Sequence, residues 1–366
     1  MSNTRIIVTG GSGFIGTNLC EYLIEKNYDF INLDINPPKV TGHREYWKEI
    51  DIRDKGLLSE IIEYFKPTYI INLAADLGMD HNSLENLQTN IIGTFNLLEA
   101  ARRLDLKKFI QISTDEVYGS LSNESPMSKE GDLLKPRSPY SASKAAAEQI
   151  ALSYFHTYGL PVIISRSSNN YGPYQFPEKL IPLFVTNLIE DKKVTLMYSA
   201  ENPGLNVRDW LYVKDNCQAI WELIEKGEAG EIYNISGNNE KTNVEITETI
   251  LSSFGVGKEM VEYIPHRKGH DFRYAIDASK IENQLVWKAD ENFETGLQKL
   301  NLTHWWSRVR NPKDNAQNER FNRTLQEEFI QLSNYTNNVE AFNRNLTNWL
   351  IEYNFHRPHQ SLDYLF

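Results

Sequence analysis

Two adjacent carboxylates, Asp115 and Glu116, follow the hydroxyl of Thr114 at the end of the apolar run "KKFIQIS". Neighbouring acids at the end of a buried strand are costly unless something pairs or uses them. Repulsion and burial raise the pKa of one member, so such a pair can hold opposite protonation states and divide acid and base work. A second constellation is Tyr140 and Lys144 in "PYSASKAAAE", four apart and therefore neighbours on one helix face. An ammonium beside a phenol lowers the phenol pKa and makes the phenolate a usable base. A third is "VTGGSGFIG", with Gly10, Gly13 and Gly16 between an apolar strand and a helix. Glycines there permit a tight turn and let a pyrophosphate reach the free N–H groups of the helix start. Asp34 ends the following strand. A carboxylate at that place accepts from adenosine ribose hydroxyls and repels a 2′-phosphate, which favours NAD over NADP. Singly, these features read as turn acids, a surface helix pair and a tight turn.

The elements that must position them alternate. "RIIVTG", "DFINLDIN", "YIINLAA", "KKFIQIS" and "PVIISR" read as strands. Between them "GTNLCEYLIEKN", "LLSEIIEYFK", "TNIIGTFNLLEAARRL" and "YSASKAAAEQIALSYFHTYG" carry helical spacing. That order predicts right-handed βαβ units: an α/β fold with a Rossmann doubly wound parallel sheet covered on both faces. After about residue 170 the alternation thins and Pro and Gly become frequent, as in a smaller substrate-binding lobe. The expected division is a cofactor domain over 1–170, with parts of 205–240 returning to it, a substrate lobe mainly over 171–300, and a helical tail over 301–366.

A chain of 366 residues suffices for two domains. Its net charge of -11 argues against nucleic acid or an anionic membrane as the partner of the whole chain. Cys20 and Cys217 offer neither a disulfide framework nor metal spacing, which suits a reducing compartment. The first residues enter a strand pattern at once and no apolar run approaches membrane-spanning length, so the expectation is a cytoplasmic protein without leader or membrane span. Residues 301–366 hold seven basic against seven acidic side chains, and 12 Asn. The acidic excess therefore lies wholly before residue 301, which marks the tail as a separate module.

With the glycine loop and the Tyr–Lys pair, the chain resembles the extended short-chain dehydrogenase/reductases. "TGGSGFIG", "STDEVYG", "PYSASKA", "SNNYGPYQFPEKLIP", "NVRDWLYV", "YNISGNNEKTN" and "GHDFRYAID" follow, in order, the pattern of the nucleotide-sugar 4,6-dehydratases within them. The likeness spans roughly residues 4–299. It implies NAD as cofactor and a nucleotide-diphosphate hexose, such as dTDP-glucose, as substrate. Tyr140 would take the C4 hydroxyl proton while the C4 hydride passes to NAD. Glu116 would remove the C5 proton, Asp115 would protonate the departing C6 hydroxyl, and Thr114 would hydrogen-bond the C4 oxygen. Hydride would return to C6, leaving a 4-keto-6-deoxy sugar. Gly10, Gly13, Phe14, Ile15, Gly16, Asp34, Leu73, Ala74, Ala75, Thr89, Tyr140, Lys144 and Asn170 would hold NAD, with Asp51 and Ile52 flanking adenine. Asn169, Lys179, Leu180, Arg208 and Asn239 would hold the substrate. No metal is implied, and a homodimer is.

Departures from the family pattern cluster in substrate-facing loops. Leu77 and His81 stand where a Ser and an Arg are usual, "MYSAENPGLNVRDW" replaces a tight glycine turn, and His266 replaces an acid. They leave open which sugar and which base are bound. The tail segments "DNAQNERFNRTLQEEF" and "YNFHRPHQSL" resemble the end of the integrase core of insertion-sequence transposases. Glu319 matches the last of three metal-binding acids there, and one acid cannot build a two-metal clamp. The tail reads as a non-catalytic remnant, with helices expected over 314–331 and 338–353. Two rival functions are a related nucleotide-sugar epimerase or decarboxylase, against which the acid pair speaks, and a nucleic-acid-binding recombination-derived protein resting on the tail, against which the charge balance speaks.

Overall fold

The computed structural model describes residues 4–76, 83–200, 202–266 and 270–300. In chain order these form β1 (Arg5–Thr9), α1 (Phe14–Glu25), β2 (Asp29–Asp34), β3 (Trp47–Glu49), α2 (Lys55–Phe65), β4 (Tyr69–Asn72), α3 (Ser83–Asn86), a π-helical stretch Leu87–Gly93, α4 (Thr94–Ala101) and β5 (Lys108–Thr114). A 3-10 turn, Asp115–Tyr118, follows, then α5 (Pro139–Tyr158), β6 (Val162–Ser167), β7 (Asn169–Tyr171), α6 (Leu180–Ile189), β8 (Val194–Met197), β9 (Val207–Tyr212) and α7 (Val213–Lys226). The remainder is β10 (Ile232–Ile235), β11 (Glu240–Thr242), α8 (Asn243–Ser253), β12 (Val261–Ile264), α9 (Ser279–Leu285) and α10 (Phe293–Lys299). Leu77, His81, Glu319 and both expected tail helices lie outside the described residues.

Seven strands form one sheet in the order β10-β6-β5-β4-β1-β2-β3, and every neighbouring pair is parallel. Alternate side chains of each strand face opposite layers. Ile6 and Val8 of β1 join Ile71 and Ile110 in one core, while Ile7 joins Ile70 and Phe109 in the other. Burial on both faces is why these strands read as continuous apolar runs rather than alternating ones. Smaller sheets, β11-β9-β7 and β12-β8, lie outside this layer. Among the described residues no helix is long and apolar enough to cross a membrane.

The strand order reverses between β1 and β4, so the loops leaving them diverge and open a crevice at the carboxyl edge. Helix α5 is fixed at its start by a capping box, Ser138 with Ser141, and by Pro139 in its first turn. Such a cap contributes about 1 kcal/mol, and here it fixes the helix start two residues before Tyr140. One expected helix differs locally: the turn carrying Thr89 is π-helical. Its inward residue Asn90 accepts from the Asp76 amide at 2.7 Å and donates to Ser143 Oγ at 2.8 Å. That bridge to α5 is an inward polar demand that hydrophobic periodicity does not register.

Candidate active site

The glycine loop is shaped by close approach. Gly10 has φ +71, and a Cβ there would lie 2.7 Å from the Ala74 amide nitrogen on the facing loop. A Cβ on Gly16 would meet the Gly10 carbonyl oxygen. Gly13 caps α1 without a side-chain hydrogen bond, and the first turn holds no acid. The helix start therefore offers its amides and dipole to an anion, as a dinucleotide pyrophosphate requires. Asp34, at the end of β2, accepts from the Ser12 amide at 2.9 Å and the Asn36 amide at 2.8 Å. Burial pushes its pKa up and those two donors pull it back.

Loops at the carboxyl ends of β1, β2, β4, β5 and β6 meet around a cleft of ≈ 730 Å³. Gly10, Gly13, Phe14, Ile15, Gly16, Asp34, Asp51, Ile52, Leu73, Ala74, Ala75, Thr89 and Asn170 line it. So do Thr114, Asp115, Glu116, Tyr140, Lys144, Asn169 and Lys179. Leu180, Arg208 and Asn239 stand off this wall. Leu180 opens α6. Arg208 donates to the carbonyls of Val207 (2.7 Å), Phe272 (3.3 Å) and Asp271 (3.0 Å), with its guanidinium 4.3 Å from the Tyr274 ring centroid. The Asn239 amide bonds Asp209 Oδ1 at 2.6 Å.

The acid pair is divided by its surroundings. Asp115 is 3 % exposed, whereas Glu116 is half-buried. Thr114 Oγ1 donates to Asp115 Oδ1 at 3.2 Å, and Asp115 Oδ2 is buried without a hydrogen-bond partner among the described residues. Burial first, then the charges of Glu116 and Asp209, push Asp115 up to about 8 against the opposing pull of Arg208 and Thr114. At neutral pH it carries a proton that it can donate.

The Tyr140 phenol departs from expectation. Its pKa is raised, by burial and then by the carboxylates of Glu116, Asp115 and Asp76. The sequence spacing put Lys144 on the same face, where an ammonium would lower it. In the structure that ammonium is spent elsewhere: Nζ donates to the Ile112 carbonyl at 2.6 Å. Burial takes Lys144 itself down to about 8, partly countered by Glu148. Three acids act on the phenol, and helix spacing alone cannot report them because they arrive from other strand ends.

Asp76 is a cleft group to which the sequence assigned no role. It lines the cleft, and its side chain accepts from Asn86 Nδ2. The signal available was its position, immediately after the Leu73–Ala75 strand exit and at the start of an atypical loop. Gln175 also lines the cleft, donating to the Asn170 carbonyl at 2.9 Å. His266, the third departure, contacts His270 through Nδ1 atoms 3.0 Å apart and the Asn202 carbonyl at 2.8 Å.

Residues 7–300 match the family model described as GDP-mannose 4,6 dehydratase, and residues 300–366 match the integrase core domain. A curated relative, the probable dTDP-glucose 4,6-dehydratase of Sinorhizobium fredii, is 41% identical over 84% of this chain and 95% of its own. The crystal structure of dTDP-glucose 4,6-dehydratase from Bacillus anthracis in complex with NAD is 44% identical, with TM-score 0.75, covering 84% of this chain and 97% of that one. The UDP-glucose 4-epimerase of Thermotoga maritima reaches TM-score 0.76 at 30% identity, over 82% of this chain and 98% of that one. A shared fold across dehydratase and epimerase leaves the reaction to the side chains.

Proposed function

The chain belongs to the GDP-mannose 4,6 dehydratase family and is an NAD-dependent nucleotide-sugar 4,6-dehydratase; on that premise we propose that its substrate is dTDP-glucose and that the cleft residues divide the reaction as follows. NAD supplies the acceptor for the C4 hydride and the donor that returns it to C6. The open start of α1 and the glycine loop hold its pyrophosphate, Asp34 its adenosine ribose, and Lys144 its nicotinamide ribose. Tyr140, once ionised, accepts the C4 hydroxyl proton as the C4 carbonyl forms, with Thr114 bonded to that oxygen. The carbonyl acidifies C5–H. Glu116 takes the C5 proton, and Asp115 gives its proton to the C6 hydroxyl, which leaves as water. With hydride back at C6, Glu116 returns a proton to C5, and the product is the 4-keto-6-deoxy sugar.

The observation that carries this assignment is the contrast within the acid pair: Asp115 buried and raised to about 8 beside the more exposed Glu116, both on the wall that holds Tyr140. An epimerase needs only the hydroxyl and the tyrosine and gains nothing from a protonated acid at that place. Residues 1–170, with parts of 205–240, are assigned to the cofactor and 171–300 mainly to the substrate, with 301–366 non-catalytic. Exposed Leu87 and Ile92, 50% and 51% accessible, support a homodimer, which sedimentation would detect. The buried free thiols of Cys20 and Cys217 suit the cytoplasm. The decisive experiment incubates purified protein with dTDP-glucose and UDP-glucose. A 4-keto-6-deoxy product from dTDP-glucose supports the reading, and a C4 epimer in its place would refute it.

A further inference from the structure

Arg166, on β6, is 1 % exposed and faces Glu148, which is 0 % exposed. Its Nε lies 3.1 Å from both carboxylate oxygens, and Nη2 bonds Oε2 at 2.7 Å. Its Nη1 donates to the Tyr118 hydroxyl at 2.7 Å and to the Glu130 carbonyl at 3.2 Å. Tyr118 passes the chain on, donating to Asn234 Oδ1 at 2.8 Å, and its ring centroid lies 4.7 Å from the guanidinium carbon. Arg166, Glu148 and Tyr118 are not part of the cleft wall.

Their places in the fold give the cluster its meaning. Glu148 lies on α5, one turn beyond Lys144, and Tyr118 closes the 3-10 turn that begins with Asp115. One guanidinium therefore bonds both the helix that carries Tyr140 and Lys144 and the turn that carries Asp115 and Glu116. A buried ion pair is a poor way to gain stability, because desolvation commonly cancels the Coulombic attraction, and apolar packing would serve as well. What a planar guanidinium adds is a fixed geometry among its partners.

We propose that Arg166 is a positioning residue that holds the acid pair in register with Tyr140, so that elimination across C5–C6 follows C4 oxidation on the same bound sugar. The inference rests on the dehydratase reading above. It assigns Arg166 no contact with sugar or cofactor: it acts through Tyr118 on one side and Glu148 on the other.

Tyr118→Phe cuts one tie while leaving the Arg166–Glu148 pair and the stacked ring in place. The test follows a single turnover of the full chain with dTDP-glucose, reading reduced nicotinamide for C4 oxidation and 4-keto-6-deoxy sugar for completion. Oxidation should stay within about 2-fold of the unsubstituted protein while product formation falls roughly 10- to 100-fold, the scale of a small misplacement of reacting groups. Reduced nicotinamide should accordingly persist. Arg166→Lys, which retains the charge without the fork, tests the same split independently. The ratio of the two steps is indifferent to loss of folded protein. An unchanged ratio in both variants, whether the rates hold or fall together, overturns the proposal. Absence of both phases in the unsubstituted chain would instead overturn the dehydratase reading.

Discussion

The Lys144 ammonium donates to the carbonyl oxygen of Ile112 at 2.6 Å, on the central strand β5. Its neighbour on the helix, Tyr140, is left in the field of Glu116, Asp115 and Asp76, which together with burial raise its pKa. A base in that state works better as pH rises. Removing one of those negative charges lowers the phenol pKa, so Asp76→Asn should move the acid-side limb of C4 oxidation to lower pH. A pH series of single-turnover nicotinamide reduction reads the shift, and a limb that stays in place would show that Asp76 does not act on Tyr140.

Elimination should be separable from binding. Asp115→Asn and Glu116→Gln preserve shape while removing proton transfer, and general acid–base groups contribute about 10²- to 10⁴-fold. Both variants should bind nucleotide sugar normally and form little product. Full turnover by both would remove these residues from the mechanism.

Asp115 also has a stability signature. Its folded-state pKa is raised to about 8 from an ordinary carboxylate value. Between those two values the folded state holds a proton that the unfolded state releases. Stability from this group is thus complete at acid pH and is lost as pH rises towards 8. Asp115→Asn escapes that loss, so its Tm advantage over the unsubstituted protein should grow from pH 4 to about pH 8. A constant difference across that range would contradict the raised pKa.

Cofactor choice follows from Asp34, whose carboxylate is tied to the Ser12 and Asn36 amides at the cleft wall. NAD should bind more tightly than NADP in direct titration. Asp34→Ala should narrow that preference, because it removes both the ribose acceptor and the repulsion of a 2′-phosphate. Equal affinities in the unsubstituted protein would exclude the assigned role.

Deleting residues 301–366 should leave turnover intact, since every assigned site residue precedes them. The cut must spare α10, where Phe293 is fully buried and packs 5.3 Å, centroid to centroid, from Tyr171. Burying such a side chain contributes about 1.5–3 kcal/mol. A soluble truncation that had lost NAD binding or turnover would place the tail in the working enzyme.

Local pattern carries far in this chain. The glycine loop, Asp34, the Thr114–Glu116 run and the Tyr140–Lys144 spacing each stand at the end of a strand or the start of a helix. Hydrophobic runs and turn residues mark such boundaries directly. Because a doubly wound sheet gathers the carboxyl ends of its strands at one edge, those boundaries become one cleft. The family motifs added the reaction, which periodicity alone does not specify.

By itself, then, the sequence determined the parallel sheet, the nucleotide cofactor and most of the groups on the cleft wall, Asp76 and Gln175 excepted, since these depend on residue type and near-neighbour spacing. Only the tertiary structure decided their protonation and their bonding. It buried Asp115 beside Asp209 and Glu116, brought Asp76 to bear on Tyr140, directed Lys144 to Ile112, and kept Arg208 on backbone carbonyls. Burial and Coulombic fields sum over groups that are distant in the chain and close in space, and no local pattern encodes that sum.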